Sequence, residues 1–359
     1  MTAPRAILLC ATSVMAMAAG PTPPPKAPIP ASASAPAPAP VAPAASPAAP
    51  TDPAGAINAA AVDPAAKGDA LRDQLVKAEV LLDRAHFSPG VIDGRDGGNL
   101  QQALAAYQTA HGLKAGPLDA PTWNALVAAD KAPAVTRYVI TSEDVKGPFI
   151  GKTPTDMAQM AKLKHLGFDS PGQLLAERFH MDQALLAALN PGADFAKPGT
   201  AITVAAVGAS ALGAQVASIE VDKTRQQVRA FDGAGKLVAV YPATVGSQER
   251  PAPSGDWAVR DVAPDPTYTF DPARLTFGKS KAKLTIAAGP NNPVGSTWIG
   301  LTKETYGIHG TPDPTLVGKR ASHGCVRLTN WDARQLGLAV KKGAKVAFVG
   351  EETRAKTAA

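Results

Sequence analysis

Between Pro21 and Pro50, twelve of thirty residues are proline, and nearly all the others are alanine, serine or threonine. Such a run has few backbone donors and almost no bulky apolar side chains, so it cannot build a core and divides the chain before any element is placed. It predicts a disordered, semi-extended Pro/Ala-rich linker over 19–67. At about 3.1 Å per residue, that linker can hold the later, folding residues on the order of 100 Å from its start. Ahead of it, Arg5 precedes an uncharged apolar run from Ala6 to Ala18 that ends in Ala16-Met17-Ala18. A basic start, a short apolar stretch and a small-residue end have the form of a cleaved export signal over 1–18. The stretch is shorter than the about 20 residues that cross a bilayer. A lipid anchor on Cys10 is the competing reading, but Leu9 stands where a small residue is wanted.

No later segment is long and apolar enough to span a membrane, so no membrane contact is expected beyond the export signal. The formal charge is +6, from 36 basic against 30 acidic residues. There is no dense Lys/Arg run and no basic–aromatic interleaving, which argues against a nucleic-acid partner. An acidic polymer outside the membrane and a generally basic soluble surface both fit the balance.

Folded sequence is expected from Gly68. Leu71, Leu75, Ala78 and Leu82 fall at helical spacing, the turn Ser88-Pro-Gly-Val-Ile-Asp-Gly94 comes next, and Leu100, Leu104 and Tyr107 mark a second helix. Pro121 suits the first turn of a third helix carrying Trp123 and Leu126. The Pro-Gly…Asp-Gly turn, Ala103-Leu-x-x-Tyr107-Gln108, His111-Gly-Leu113 and Pro121-Thr-Trp-x-x-Leu126 together resemble the peptidoglycan-binding-domain family, over a module placed at 68–130. Arg95-Asp-Gly-Gly98 departs from that family's threonine-led entry to the second helix, and a purely structural helical module is the alternative. Over 136–210, Leu174–Met181, Leu185–Asn190-Pro191 and the closing run Ala201–Val204 look like a LysM module without its opening strand, or a lone helical pair between domains. His86, His111, His165 and His180 have no partner at metal-ligand spacing and are expected to be packing or surface residues.

From Ala217 the texture changes to short alternating runs rich in Val, Ile and Tyr, punctuated by glycine turns. These predict strands around Ile219–Val221, Val228–Phe231, Leu237–Tyr241, Thr244-Val245, Trp257–Val262, Trp298–Leu301, Gly307–His309 and Val346–Val349. One helix is expected with Asn330 as its cap and Trp331, Leu336 and Val340 along it. The chain is therefore expected to be multidomain: a small three-helix module, then a mainly-β C-terminal domain over 216–350. That domain should be sandwich- or barrel-like, with one or two helices and a disordered tail over 351–359.

Chemistry concentrates in that β domain. Cys325 lies in Ser322-His323-Gly324-Cys325-Val326-Arg327-Leu328, and Ile308-His309-Gly310 places a second histidine sixteen positions upstream of it. With Cys10 in the export signal, the mature chain would carry one cysteine, for which nucleophilic catalysis is the best reason. A thiol becomes a good nucleophile once an imidazole takes its proton, and either His309 or His323 can do this. Gly324 leaves the backbone open beside the sulfur, so neighbouring amides can form an oxyanion hole. The N-terminal end of the next helix would favour a thiolate. No carboxylate lies at an obvious spacing to orient the base, which leaves that task to a backbone carbonyl.

His309-Gly-Thr…Ser322-His-Gly-Cys325-Val-Arg327-Leu resembles the signature of the L,D-transpeptidase (YkuD) family, as do Pro253-Ser-Gly255 and Gly289-Pro-Asn-Asn-Pro-Val-Gly295. The resemblance implies an exported peptidoglycan transferase, in the periplasm or cell wall. Cys325 would attack a stem tetrapeptide, expel D-alanine and pass the acyl group to an acceptor amine. His309 would be the proton donor and acceptor, Ser322 and His323 would shape the site, and Gly324 and Cys325 would supply oxyanion amides. Arg327 would pair with a substrate carboxylate or form a structural ion pair. The resemblance also implies inactivation by carbapenems, and neither metal nor cofactor. An L,D-carboxypeptidase using the same site and a non-catalytic wall-binding protein are the alternatives.

Overall fold

The computed structural model describes residues 53–246, 251–273, 281–319 and 324–351. The expected export signal, most of the linker, Ser322, His323 and nearly all of the C-terminal tail lie outside these residues. The linker ends earlier than its composition suggested. Helix α1, Pro53–Ala59, belongs to the folded part, with Ile57 wholly buried among residues that include Val76 and Val80. Asn58 fastens it, its amide donating to the Val135 carbonyl (2.9 Å) and its oxygen accepting the Val135 N–H (3.0 Å). Alanine is the best helix former, so an Ala-rich stretch orders once a single isoleucine has a core to enter.

The three expected helices are present as α2 (Gly68–Arg84), α3 (Gly98–Ala110) and α4 (Ala120–Ala129). Leu75, Leu82, Leu100, Leu104, Tyr107 and Leu126 make their common core. Asp119 caps α4 by accepting the Thr122 N–H at 2.9 Å, whereas α3 starts at Gly97 with no side-chain cap, where the sequence departs from the peptidoglycan-binding pattern. The turn after α2 is held by Glu79, whose carboxylate accepts the Asp93 and Gly94 amides at 3.1 and 2.9 Å.

The middle of the chain forms a second module. Strands β1 (Val135–Val139) and β2 (Ala201–Ala205) pair antiparallel, Val135 opposite Ala205 and Val139 opposite Ala201. Helices α6 (Pro171–Arg178) and α7 (Gln183–Leu189) lie between them in sequence. Strand β1 is an element that the sequence pattern did not reveal. It is hidden because it is short, mostly exposed, and separated from α6 by residues 140–170. Those residues, with the one-turn helix α5 (Met157–Met160), pack Met160 and Leu166 against Ile286 of the β domain. Asn190 closes the module, its amide donating to the Leu186 and Thr203 carbonyls at 2.8 Å each.

The β domain contains β3 (Val216–Asp222), β4 (Gln227–Phe231), β5 (Leu237–Pro242), β6 (Thr244-Val245), β7 (Gly255–Pro264), β8 (Tyr268–Phe270), β9 (Leu284–Ile286), β10 (Thr297–Leu301), β11 (Gly307–His309), β12 (Val326-Arg327) and β13 (Val340–Val349). Nine of these form one sheet in the order β5-β4-β3-β13-β7-β10-β11-β12-β6, and β8 and β9 form a separate hairpin. The ten-residue β7 joins its two halves, pairing β13 through its first part and β10 through its last. The two edge strands, β5 and β6, are separated in sequence only by Ala243, so the sheet curls until its edges nearly meet around one core. This is the barrel-like architecture expected.

Helix α8 spans Asn330–Ala339 and packs Leu336 into that core. Its cap is Thr329, not Asn330: the Thr329 hydroxyl accepts the Asp332 N–H at 3.1 Å. Asn330 is the first helical residue, with its side chain committed elsewhere, and Val340 already belongs to β13.

The modules share their interiors. Phe87 of the helical module and Val240 of β5 lie in one cluster. Ser88 N–H donates to the Val240 carbonyl and Val240 N–H to the His86 carbonyl, both at 2.9 Å, which covers an otherwise open sheet edge. Where all three modules meet, His180 Nδ1 lies 3.0 Å from Asp83, the His180 ring stacks on Trp331 (4.9 Å, 8°), and Ser88 donates to Asp332 at 3.0 Å. Burial pushes the carboxyls of Asp332 and Glu177 up to about 7. Burial opposes charge on His180, but Asp83, with Asp332 and Glu177, carries its pKa above the ordinary value.

This packing can be tested in two ways. Ile57→Ala is expected to lower stability by about 2–5 kcal/mol in chemical denaturation, the usual cost of emptying such a site; an unstructured linker would give no change. At the junction, Glu177, Asp332 and His180 keep protons that their unfolded counterparts release earlier. Their stabilisation is fullest in acid and is lost as pH rises through about 7. Tm should fall between pH 5 and pH 8, and Asp332→Asn should flatten that fall. Parallel Tm–pH curves for parent and variant would refute the assignment.

Candidate active site

Strands β11 and β12 pair in parallel, Ile308 opposite Val326 and His309 opposite Arg327. This register puts Cys325, just before β12, beside the beginning of β11. The Gly307 amide is hydrogen-bonded to the sulfur, which also lies 3.8 Å from the Thr305 carbonyl. Thr305 itself has φ +68°, a left-handed conformation that a β-branched residue rarely adopts, so the turn carrying that carbonyl is strained. Two glycines are required here. At Gly307 a Cβ would overlap the Trp298 ring, and Gly324 has φ +107° with space for a Cβ only 3.1 Å from the Tyr306 ring.

His309 is buried at the end of β11, its ring stacked on Trp298 with centroids 5.5 Å apart. Its Nδ1 lies 2.6 Å from the Gly310 carbonyl, which can only accept a hydrogen bond. In the neutral ring Nδ1 therefore carries the proton and Nε2 the lone pair, the form a general base needs. A backbone carbonyl does the orienting, as the absence of a suitably spaced carboxylate suggested. Burial, reinforced by the Arg327 charge and opposed by the Gly310 bond, lowers the His309 pKa to about 3.

Burial also raises the Cys325 thiol, outweighing the Gly307 amide and the Arg327 charge. The expectation that the start of α8 would favour a thiolate is thus corrected: desolvation dominates. Both shifts favour the uncharged forms, a neutral thiol and a neutral imidazole. Arg327 shares this environment with Cys325, Asp313 and Tyr268, and burial lowers its pKa from the usual guanidinium range. Tyr268, on the β8–β9 hairpin, feels both Cys325 and Arg327, and burial leads in pushing its phenol to about 12.

The fold thus brings Gly324, Cys325, Arg327 and His309 onto adjoining strands, while Ser322 and His323 lie outside the described residues. Sequence reasoning foresaw a backbone carbonyl as the orienting group but missed three contributors: Trp298 behind the imidazole, Tyr268 near Arg327 and Cys325, and Asn330 behind Gly310. Only Tyr268 left a trace in the sequence, as one of two aromatics in the short run Tyr268-Thr-Phe270. The others depend on pairings between strands. Among the described residues no cluster of His, Cys, Asp or Glu has metal-site geometry.

Two segments of the chain match known families. Residues 217–347 fit the family model of the L,D-transpeptidase catalytic domain (YkuD), and residues 72–126 fit that of the "Putative peptidoglycan binding domain". The chain therefore contains these two domains. A Bacillus licheniformis relative, "Putative L,D-transpeptidase YkuD", is 30% identical over 32% of this chain and 54% of its own length. The Escherichia coli "Probable L,D-transpeptidase YbiS" is 26% identical over 62% of this chain and 75% of its own. The chain thus spans about half of the first relative's length. Among solved structures, L,D-transpeptidase 3 from Mycobacterium tuberculosis aligns over 43% of this chain and 76% of its own at 15% identity, with a TM-score of 0.32.

The resting-state chemistry can be checked directly. Peptide-resolved alkylation of Cys325 by iodoacetamide is expected to rise with a midpoint above the ordinary thiol value of about 8.5, with no step near pH 6.5. A plateau of reactivity below pH 7 would mean a thiolate–imidazolium pair and sink the neutral-pair assignment.

Proposed function

We propose that this chain is an exported L,D-transpeptidase that acts on peptidoglycan stem tetrapeptides. The observation that carries the reading is the parallel register of β11 and β12, which sets Cys325 two residues before the partner of His309, a buried histidine whose Nδ1 is tied to a carbonyl. As Cys325 Sγ attacks the carbonyl carbon of the L-centre–D-centre peptide bond, His309 Nε2 takes the thiol proton. The tetrahedral intermediate places its oxyanion toward the amides of Gly324 and Cys325, where positive φ at Gly324 turns the backbone. Collapse returns the proton to the D-alanine nitrogen, breaks the C–N bond and leaves a thioester. An acceptor amine then attacks, His309 takes its proton, and the thiol is regenerated.

Arg327 is the group that pairs with a carboxylate of the stem peptide, since a guanidinium fork matches that shape and Arg327 lies beside Cys325. From the Ser322-His323-Gly324-Cys325 motif, Ser322 and His323 are the residues assigned to shaping the site. The domain match at 72–126 supports retention on peptidoglycan, and the pairing of β1 with β2 around α6 and α7 supports the LysM-like reading of that segment. The sequence of residues 1–18 supports export, to the periplasm or cell wall. Carbapenems should acylate Cys325, the sulfur opening the β-lactam.

Incubation of the protein with disaccharide-tetrapeptide is expected to give a cross-linked dimer lacking one D-alanine by mass spectrometry. Cys325→Ala should abolish it, and His309→Ala should slow it by about 10²–10⁴-fold, the usual worth of a general base. Tripeptide without dimer would move the assignment to a carboxypeptidase. No product, with sacculus binding retained, would leave a wall-binding protein.

A further inference from the structure

Asn330 lies directly behind the peptide that orients His309. Its side-chain oxygen accepts the Ser296 N–H at 3.1 Å and sits so close to Gly295 and Gly310 that a Cβ at either would overlap it. Its amide spends both hydrogens, one on the Pro290 carbonyl (3.1 Å) and one on the Glu177 carboxylate (3.0 Å). Ser296 and Pro290 belong to the β domain, while Glu177 is on α6, in the intermediate module and outside the catalytic-domain match. One turn earlier on α6, Gln173 donates to the Asn291 side chain at 2.9 Å, and Asn291 is buried in the same 289–296 loop. Residues four apart share a helix face, so α6 grips this part of the β domain at two points.

We propose that Glu177 is a positioning residue for His309, acting through Asn330 and Gly310, so that the intermediate module completes the active site. Nδ1 of His309 is held by the Gly310 carbonyl, and the orientation of that carbonyl sets where Nε2 points. Glycine at 310 offers little conformational resistance of its own, so the peptide takes its orientation from what packs against it. That neighbour is the Asn330 amide. Removing Glu177 leaves one amide hydrogen of Asn330 without an acceptor in a place withdrawn from water, and the amide must pivot to recover one. The Gly310 peptide and the imidazole move with it. In α6 this glutamate looks like an ordinary helix residue, and its role appears only where the two modules touch.

This inference rests on the assignment of His309 as the base, and its test has one readout independent of turnover. In the full chain with ¹⁵N-labelled histidine, the His309 ring signals of Glu177→Ala should shift away from the Nδ1–H form. Transferase kcat should fall about 10- to 100-fold, the scale of a small misplacement of a reacting group, with KM little changed. Glu177→Gln keeps an acceptor for Asn330 and should restore both. Should the alanine variant fail to fold, Glu177→Asp, one methylene too short, is expected to show the same ring shift and kcat loss. A folded alanine or aspartate variant with parental His309 signals and kcat, whatever its Tm, overturns the proposal. A parent with no transferase activity would refute the proposed function, and the ring signals would still decide the role of Glu177.

Discussion

Two strands of three and two residues, β11 and β12, hold His309 and adjoin Cys325, and neither is long enough to hold itself in place. Their parallel pairing survives because β10 flanks one side and β6 the other, within a sheet whose edges are brought together across Ala243. Parallel strands need a long connection, and here it runs from Gly310 to Cys325. Cys325 and His309 therefore sit at opposite ends of one loop. The glycines around them serve the same constraint: Gly307 makes room for Trp298, Gly310 and Gly295 for Asn330, and Gly324 for a backbone turn beside Tyr306.

The electrostatics of the pair come from exclusion of water more than from any fixed charge. Burial drives His309 down to about 3 and Cys325 upward, and the neighbouring Arg327 cation adds to the first shift and only partly offsets the second. A neutral pair costs little to keep buried, whereas an ion pair would require compensation for its desolvation. The arrangement suits proton transfer concerted with attack on a bound acyl donor.

The upstream modules are not beads on the Pro/Ala-rich stretch. The helical module supplies a bridge to the edge of β5, α1 threads into a core with β1 and β2, and α6 reaches Asn291 and Asn330. Tertiary contacts of this kind explain why so many titratable groups, among them Asp83, Glu177, His180 and Asp332, lie at boundaries between modules.

Much of the fold and of the site is legible in the residue pattern. Leucine spacing at 71–82 and 100–107 marks two helices because a helix buries one face every 3.6 residues, and the two-residue period after Ala217 marks strands for the corresponding reason. The Cys325 and His309 motifs point to nucleophilic chemistry because few other arrangements use a cysteine beside histidines. Helix α1 and strand β1 escape, since an Ala-rich heptapeptide and a mostly exposed five-residue strand have almost no periodic signal. The cap of α8 is misplaced by one residue, because Thr329 and Asn330 are both good caps and only the bond to Asp332 N–H separates them. By itself, then, the sequence determined the local elements, the reactive residue types and the break in composition after the Pro/Ala-rich stretch, all of which come from short-range pattern. The tertiary structure alone decided the protonation of Cys325 and His309, the roles of Trp298 and Asn330, and the reach of Glu177 into the site, because burial and contact between distant segments exist only once the chain has closed on itself.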